Sequence, residues 1–136
     1  MGIKRIDHIG IVVKDLEESL KRWKELFGVK VGAIEEIKER GVKVAHLEFE
    51  DGSAVELVTS LGEESSIEKF IEERGEGIHH LSLEAEGIED VMKELKEKGI
   101  QFIQEIPQEG AEGSKIAFIH PRNLKGVLLE LKEKRK

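Results

Sequence analysis

The chain has 136 residues, 38% of them apolar and 38% charged, with 22 Lys and Arg against 29 Asp and Glu for a net charge of −7. That length predicts one compact unit, or two small halves sharing a core. The acidic balance, with no basic block, argues against a duplex-binding face, and the absence of Cys excludes disulfides and thiolate metal sites. No window approaches the ~18 apolar residues of a membrane-spanning helix, and Asp7 interrupts any apolar signal core after Arg5. The expectation is a cytoplasmic protein with no nucleic-acid or membrane partner.

In chain order, Ile9, Ile11 and Val13 alternate with His8, Gly10 and Val12, the pattern of a strand with one apolar face toward a helix layer. Asp15 offers an N-cap with Glu17 and Glu18 in the first turn. Leu16, Leu20, Trp23 and Phe27 then recur at helical spacing as a core stripe, and Gly28 stops the helix. Strands are predicted near 29–37, 43–50 and 53–59, with Asp51-Gly52 as a hairpin turn. Ser65-Ser66-Ile67-Glu68 opens a connector helix over 65–75 with Ile67, Phe70 and Ile71 inward. A strand at 78–85 leads to a helix at 88–98 carrying Ile88, Val91, Met92 and Leu95 on one stripe, closed by Gly99. Further strands are predicted near 100–105, 114–119 and 126–132, with a loop from Pro107 to Gly113.

The order repeats. Shifting the chain by 72 residues lays Asp7-His8-Ile9-Gly10-Ile11 over His79-His80-Leu81-Ser82-Leu83, and a shift of 74 lays Gly52-Ser53-Ala54-Val55-Glu56-Leu57 over Gly126-Val127-Leu128-Leu129-Glu130-Leu131. The predicted fold class is α+β: two tandem βαβββ modules forming cupped mixed sheets around a central cleft, helices on the outer face. Module one covers 4–60, the connector helix 65–75 and module two 77–133, within a single domain over 1–136.

Strand alternation then groups the polar residues. His8 and His80 lie opposite the helix-facing residues of the first strand of each module, and Glu56 and Glu130 do the same in the last. A lone strand His or Glu is by default a structural or solvent-facing residue. Here each His falls in the first strand of its module, each Glu follows a Gly by four residues, and the His-to-Glu intervals are 48 and 50. A pseudo-twofold relation would bring His8, Glu56, His80 and Glu130 together as ligands of one divalent ion. Two imidazoles with two carboxylates suit Co²⁺, Mn²⁺, Fe²⁺, Ni²⁺ or Zn²⁺ rather than Ca²⁺, which takes oxygen alone. His79 and His120 read as turn-shaping or hydrogen-bonding residues, and His46 as a cleft residue placed to touch substrate.

The duplication with its His/Glu/His/Glu spacing resembles the vicinal oxygen chelate superfamily. Within it, Arg5-Ile6-Asp7-His8-Ile9-Gly10-Ile11, Arg74-Gly75-Glu76-Gly77-Ile78-His79-His80-Leu81, Ile116-Ala117-Phe118-Ile119-His120-Pro121 and the last strand are similar to the methylmalonyl-CoA epimerase family. The resemblance covers nearly the whole chain. It implies interconversion of (R)- and (S)-methylmalonyl-CoA through a metal-stabilised enolate, with Glu130 moving a proton beside the metal and Co²⁺ as the favoured ion. Some relatives carry Glu where this chain has Val44, so the second acid/base is left open, with neighbouring His46 as the candidate. Lys115 and Arg122 are the candidate partners of the CoA phosphates. Homodimerisation, common among relatives, would cover open sheet edges. The same fold hosts glyoxalase I-type lyases and metal-free binding proteins. The stretch Pro121 to Gly126 departs from the Asp-Pro-Asp-Gly frequent in the former, and the latter typically lose the ligands kept here.

Overall fold

Among the described residues, eight strands and three α-helices follow one another as β1 (Ile3–Val12), α1 (Leu16–Phe27), β2 (Lys30–Ile37), β3 (Val42–Glu48), β4 (Ala54–Ser60), α2 (Glu68–Arg74), β5 (Gly77–Ala85), α3 (Ile88–Glu97), β6 (Gln108–Glu109), β7 (Lys115–Ile119) and β8 (Leu129–Glu133). The computed structural model describes residues 2–62 and 65–135. The strands form one mixed sheet in the order β2-β3-β4-β1-β5-β8-β7-β6. Within each repeat the first and last strands pair in parallel, β1 with β4 and β5 with β8, and the others pair antiparallel. The α+β duplication expected from the sequence is therefore the fold. No helix among the described residues is long and apolar enough to cross a membrane.

Two compact units make up the chain, His8–His79 and a second that joins Met1–Asp7 to His80–Lys136. The division falls inside β1 and β5, whereas the sequence repeat places it between 60 and 77. The start of β1 belongs with the second repeat because Glu86 donates its backbone N–H to the Gly2 carbonyl at 2.7 Å and Lys4 pairs with Glu86 at 3.1 Å.

In the unit His8–His79, the Asp15 side chain accepts from the Glu18 N–H at 3.0 Å and starts α1. Gly28 ends it at φ 62°, where a side chain would strain the backbone, and donates to the Lys24 carbonyl. Leu16 and Leu20 bury against Val13, Ala45, Leu47, Val55 and Leu57, with Ile11 and Trp23 packed at the margin. Asp15→Ala should cost about 1 kcal/mol by orphaning that N–H, which a denaturant midpoint would register with an unchanged m-value. Phe27 departs from the expected core stripe: it is 63% exposed, the last helical residue, and stacks on Trp23 at 5.4 Å between ring centroids. Ile9 also departs, at 38% exposed, so the more deeply buried face of β1 is the one carrying His8, Gly10 and Val12.

In the second unit, α3 lays Ile88, Val91 and Met92 on Ala85, Phe102, Ala117, Ile119, Leu129 and Leu131. The strand expected near 100–105 is reduced to one bridge between Phe102 and Ile119. The Gln104 side-chain oxygen accepts the Phe118 N–H at 3.0 Å, occupying a group that a continuous ladder would use, so regular pairing resumes only at β6. The loop expected from Pro107 to Gly113 accordingly contains β6 and a 3-10 turn at Ala111–Gly113. β8 begins at Leu129 rather than near 126. A 3-10 turn over Pro121–Leu124 is followed by Lys125 and Gly126 at φ 55° and 98°, a left-handed pair that no strand can include.

Candidate active site

The site residues come from strand centres whose other face packs on a helix. In the unit His8–His79, β4 pairs with two neighbours: His46 of β3 and Gly10 of β1 both stand opposite Glu56. Alternation sends Ala45, Leu47, Val55 and Leu57 to the α1 side and His46 and Glu56 to the other. His46 Nε2 lies 3.0 Å from Glu56 Oε2, and His8 Nε2 lies 3.7 Å from the same oxygen. The His8 and His46 rings meet edge-on with centroids 5.9 Å apart. Val44, two residues before His46, is buried opposite Val58 and supplies apolar wall.

The second unit repeats the plan with different neighbours. Phe118 of β7 and Ser82 of β5 stand opposite Glu130. The fully buried Ser82 donates its hydroxyl to Glu130 Oε1 at 2.7 Å. The His80 ring meets Phe118 edge-on at 5.9 Å.

His8, His46, Glu56, His80 and Glu130 are each between 1% and 7% exposed. Within the second unit, one potential ligand atom of His80 lies within 4.8 Å of one of Glu130. The expected ligands thus stand in pairs, His8 beside Glu56 in one unit and His80 beside Glu130 in the other. The donor set fits a divalent ion: buried carboxylates are costly without a compensating positive charge, and nitrogen and oxygen donors together suit borderline first-row metals.

The remaining expected site residues lie elsewhere. Lys115 precedes Ala117 and Ile119 on the α3-facing side of β7 and pairs with Glu89 at 2.9 Å. Their hydrogen bond holds the Glu89 carboxyl below its usual range and raises the Lys115 ammonium above its own. Arg122 is exposed in the 3-10 turn, where its backbone N–H is accepted by His120 Nδ1 at 3.2 Å, so His120 shapes the turn as expected. His79 packs edge-on against Phe70 at 4.9 Å. Sequence reasoning missed Ser82, and also a buried ion pair between Asp7 and Lys132 at 3.4 Å. The signal for the first was a serine replacing Gly10 in the repeat; for the second, a lysine two residues beyond Glu130 on the same strand face.

Residues 7–118 match the model of the Glyoxalase/Bleomycin resistance protein/Dioxygenase superfamily, and the chain belongs to that superfamily. Within it the similarity is to methylmalonyl-CoA epimerases. The mitochondrial enzyme of Dictyostelium discoideum is 34% identical over 135 residues, covering 98% of this chain and 81% of its own length. The crystal structure of the epimerase from Mycobacterium tuberculosis superposes with a TM-score of 0.95 at 30% identity, covering 98% of this chain and 90% of that one. A variant of the Streptomyces coelicolor epimerase in complex with 2-nitronate-propionyl-CoA gives a TM-score of 0.92 at 32% identity, covering 98% and 99%.

Proposed function

We propose that this chain is a divalent-metal-dependent epimerase that interconverts the (R) and (S) forms of methylmalonyl-CoA. The observation that carries the reading is the pair of buried histidine–carboxylate sets, His8 with Glu56 and His80 with Glu130, in a chain whose epimerase relatives match it along almost its full length. His8, Glu56, His80 and Glu130 would hold the ion, with Co²⁺ the favoured occupant and Mn²⁺, Ni²⁺, Fe²⁺ or Zn²⁺ fitting the same donors. A divalent ion bound there supplies positive charge against the negative charge that develops on two substrate carbonyl oxygens as the proton between them leaves.

The chain's own residues do the rest. Glu130 takes the C2 proton on one face of the substrate. His46 serves the site through Glu56, whose carboxylate it holds at 3.0 Å. Val12, Val44 and Val58 are buried apolar residues of the same unit that help keep water out. The acyl-CoA phosphates would meet Arg122, which is exposed; Lys115 could join only by releasing Glu89. We assign the protein to the cytoplasm, which the lack of Cys suits, and to a homodimer, measurable by light scattering, that would cover sheet edges.

Metal-loaded protein incubated with one methylmalonyl-CoA epimer in D₂O should place deuterium at C2 and bring the two epimers to equal amounts, followed by NMR. No deuterium uptake together with no interconversion rejects the activity.

A further inference from the structure

The two carboxylates of the site are held by different donors arriving from opposite sides. Each has two cross-strand neighbours. Glu56 has His46 on the antiparallel side and Gly10 on the parallel side; Glu130 has Phe118 on the antiparallel side and Ser82 on the parallel side. The repeat has exchanged its donors in complementary fashion. Where module one carries an imidazole, module two carries a phenyl ring, and where module one carries no side chain, module two carries a hydroxyl. Neither exchange is explained by the helix-facing core, because all four neighbours lie on the carboxylate side of their strands.

We propose that Ser82 is the positioning residue of Glu130: its hydroxyl fixes the carboxylate plane so that the carboxylate presents itself to the divalent ion. This rests on the metal site argued above. A serine hydroxyl buried in a strand centre must be hydrogen-bonded or cost free energy, and a carboxylate is acceptor only, so the proton of this 2.7 Å bond belongs to Ser82. Hydrogen bonds of this kind orient metal-ligating carboxylates, and losing one typically weakens metal binding by about 10–100-fold. Glu56 has its own holder in His46, so removing the hydroxyl disturbs one carboxylate of the set and not both.

The test uses the full chain loaded with Co²⁺, whose visible absorption reports the number and arrangement of its ligands. Ser82→Ala should bind Co²⁺ about tenfold more weakly by calorimetry and shift the visible band. Ser82→Thr, which keeps the hydroxyl, should restore both toward wild type. Circular dichroism and the metal-free melting temperature establish that each variant is folded. If wild type binds Co²⁺ and folded Ser82→Ala matches it in affinity and spectrum, the role of Ser82 is overturned while the metal site stands. Folded Ser82→Thr behaving like Ser82→Ala also overturns it, since the hydroxyl would then not be the operative group. Wild type that takes up no Co²⁺ overturns the metal site itself, and this inference with it.

Discussion

Glu130→Gln should lower epimerisation by the metal-loaded protein about 10³-fold, within the range lost when a proton-transferring group is removed, while the chain stays folded. The substitution keeps the shape of the side chain, and Gln Oε1 can still accept from Ser82, so the local packing of β8 is preserved. What disappears is a charged ligand and a base together. A neutral amide neither takes a proton from carbon nor offsets the charge of a divalent ion, so Co²⁺ affinity should fall alongside turnover. Initial rates of epimer interconversion and of deuterium uptake at C2, measured at saturating Co²⁺, check the loss. Both rates within threefold of wild type would remove Glu130 from the chemistry, whatever happened to metal affinity.

The fold was legible because the sequence states its own symmetry. The alternation around His8 recurs around His80, and the Gly-to-Glu spacing around Glu56 recurs around Glu130, so each module supports the reading of the other. What alternation leaves undetermined is register. It places His46 on the same side as Glu56, but the residue standing opposite Glu56 depends on how β3 and β4 slide along each other. The 3.0 Å bond between them appears only once His46 and Glu56 are paired. Ser82 was invisible for a related reason: one hydroxyl in a strand carries no periodic signal, and its role emerges from Glu130 lying opposite. The missing strand near 100–105 shows the other limit. Its residues have strand composition, yet the Gln104 side chain takes the Phe118 N–H, and no pattern of polar and apolar residues foretells a side chain standing in for backbone. The division of units inside β1 was likewise set by the tertiary bond of Gly2 with Glu86.

The largest expected loss of stability is at Asp7. Asp7 and Lys132 are 4% and 7% exposed; Lys132 Nζ lies 3.4 Å from Asp7 Oδ2, and Lys134 Nζ lies 3.2 Å from Asp7 Oδ1. Asp7→Asn keeps the volume and removes the charge, leaving the Lys132 ammonium buried without that carboxylate. Breaking a buried pair from one side costs about 3–5 kcal/mol, a large share of the ~5–15 kcal/mol that holds a typical domain together. Asp7→Asn combined with Lys132→Met removes both charges and should recover most of the loss, since an apolar replacement of a buried pair is often neutral or stabilising. Equal destabilisation in the single and double variants, by urea denaturation at neutral pH, would show that the pair is not the source. Lys134 gives the same network a pH signature. Burial lowers its ammonium pKa, but the carboxylates of Asp7 and Glu84 outweigh that and raise it above the ordinary 10.5. A raised lysine contributes its stability below the unfolded value and loses it as pH climbs through the folded one. Wild type should therefore lose stability above about pH 10.5, and Lys134→Met, with no ammonium to deprotonate, should show a shallower decline there.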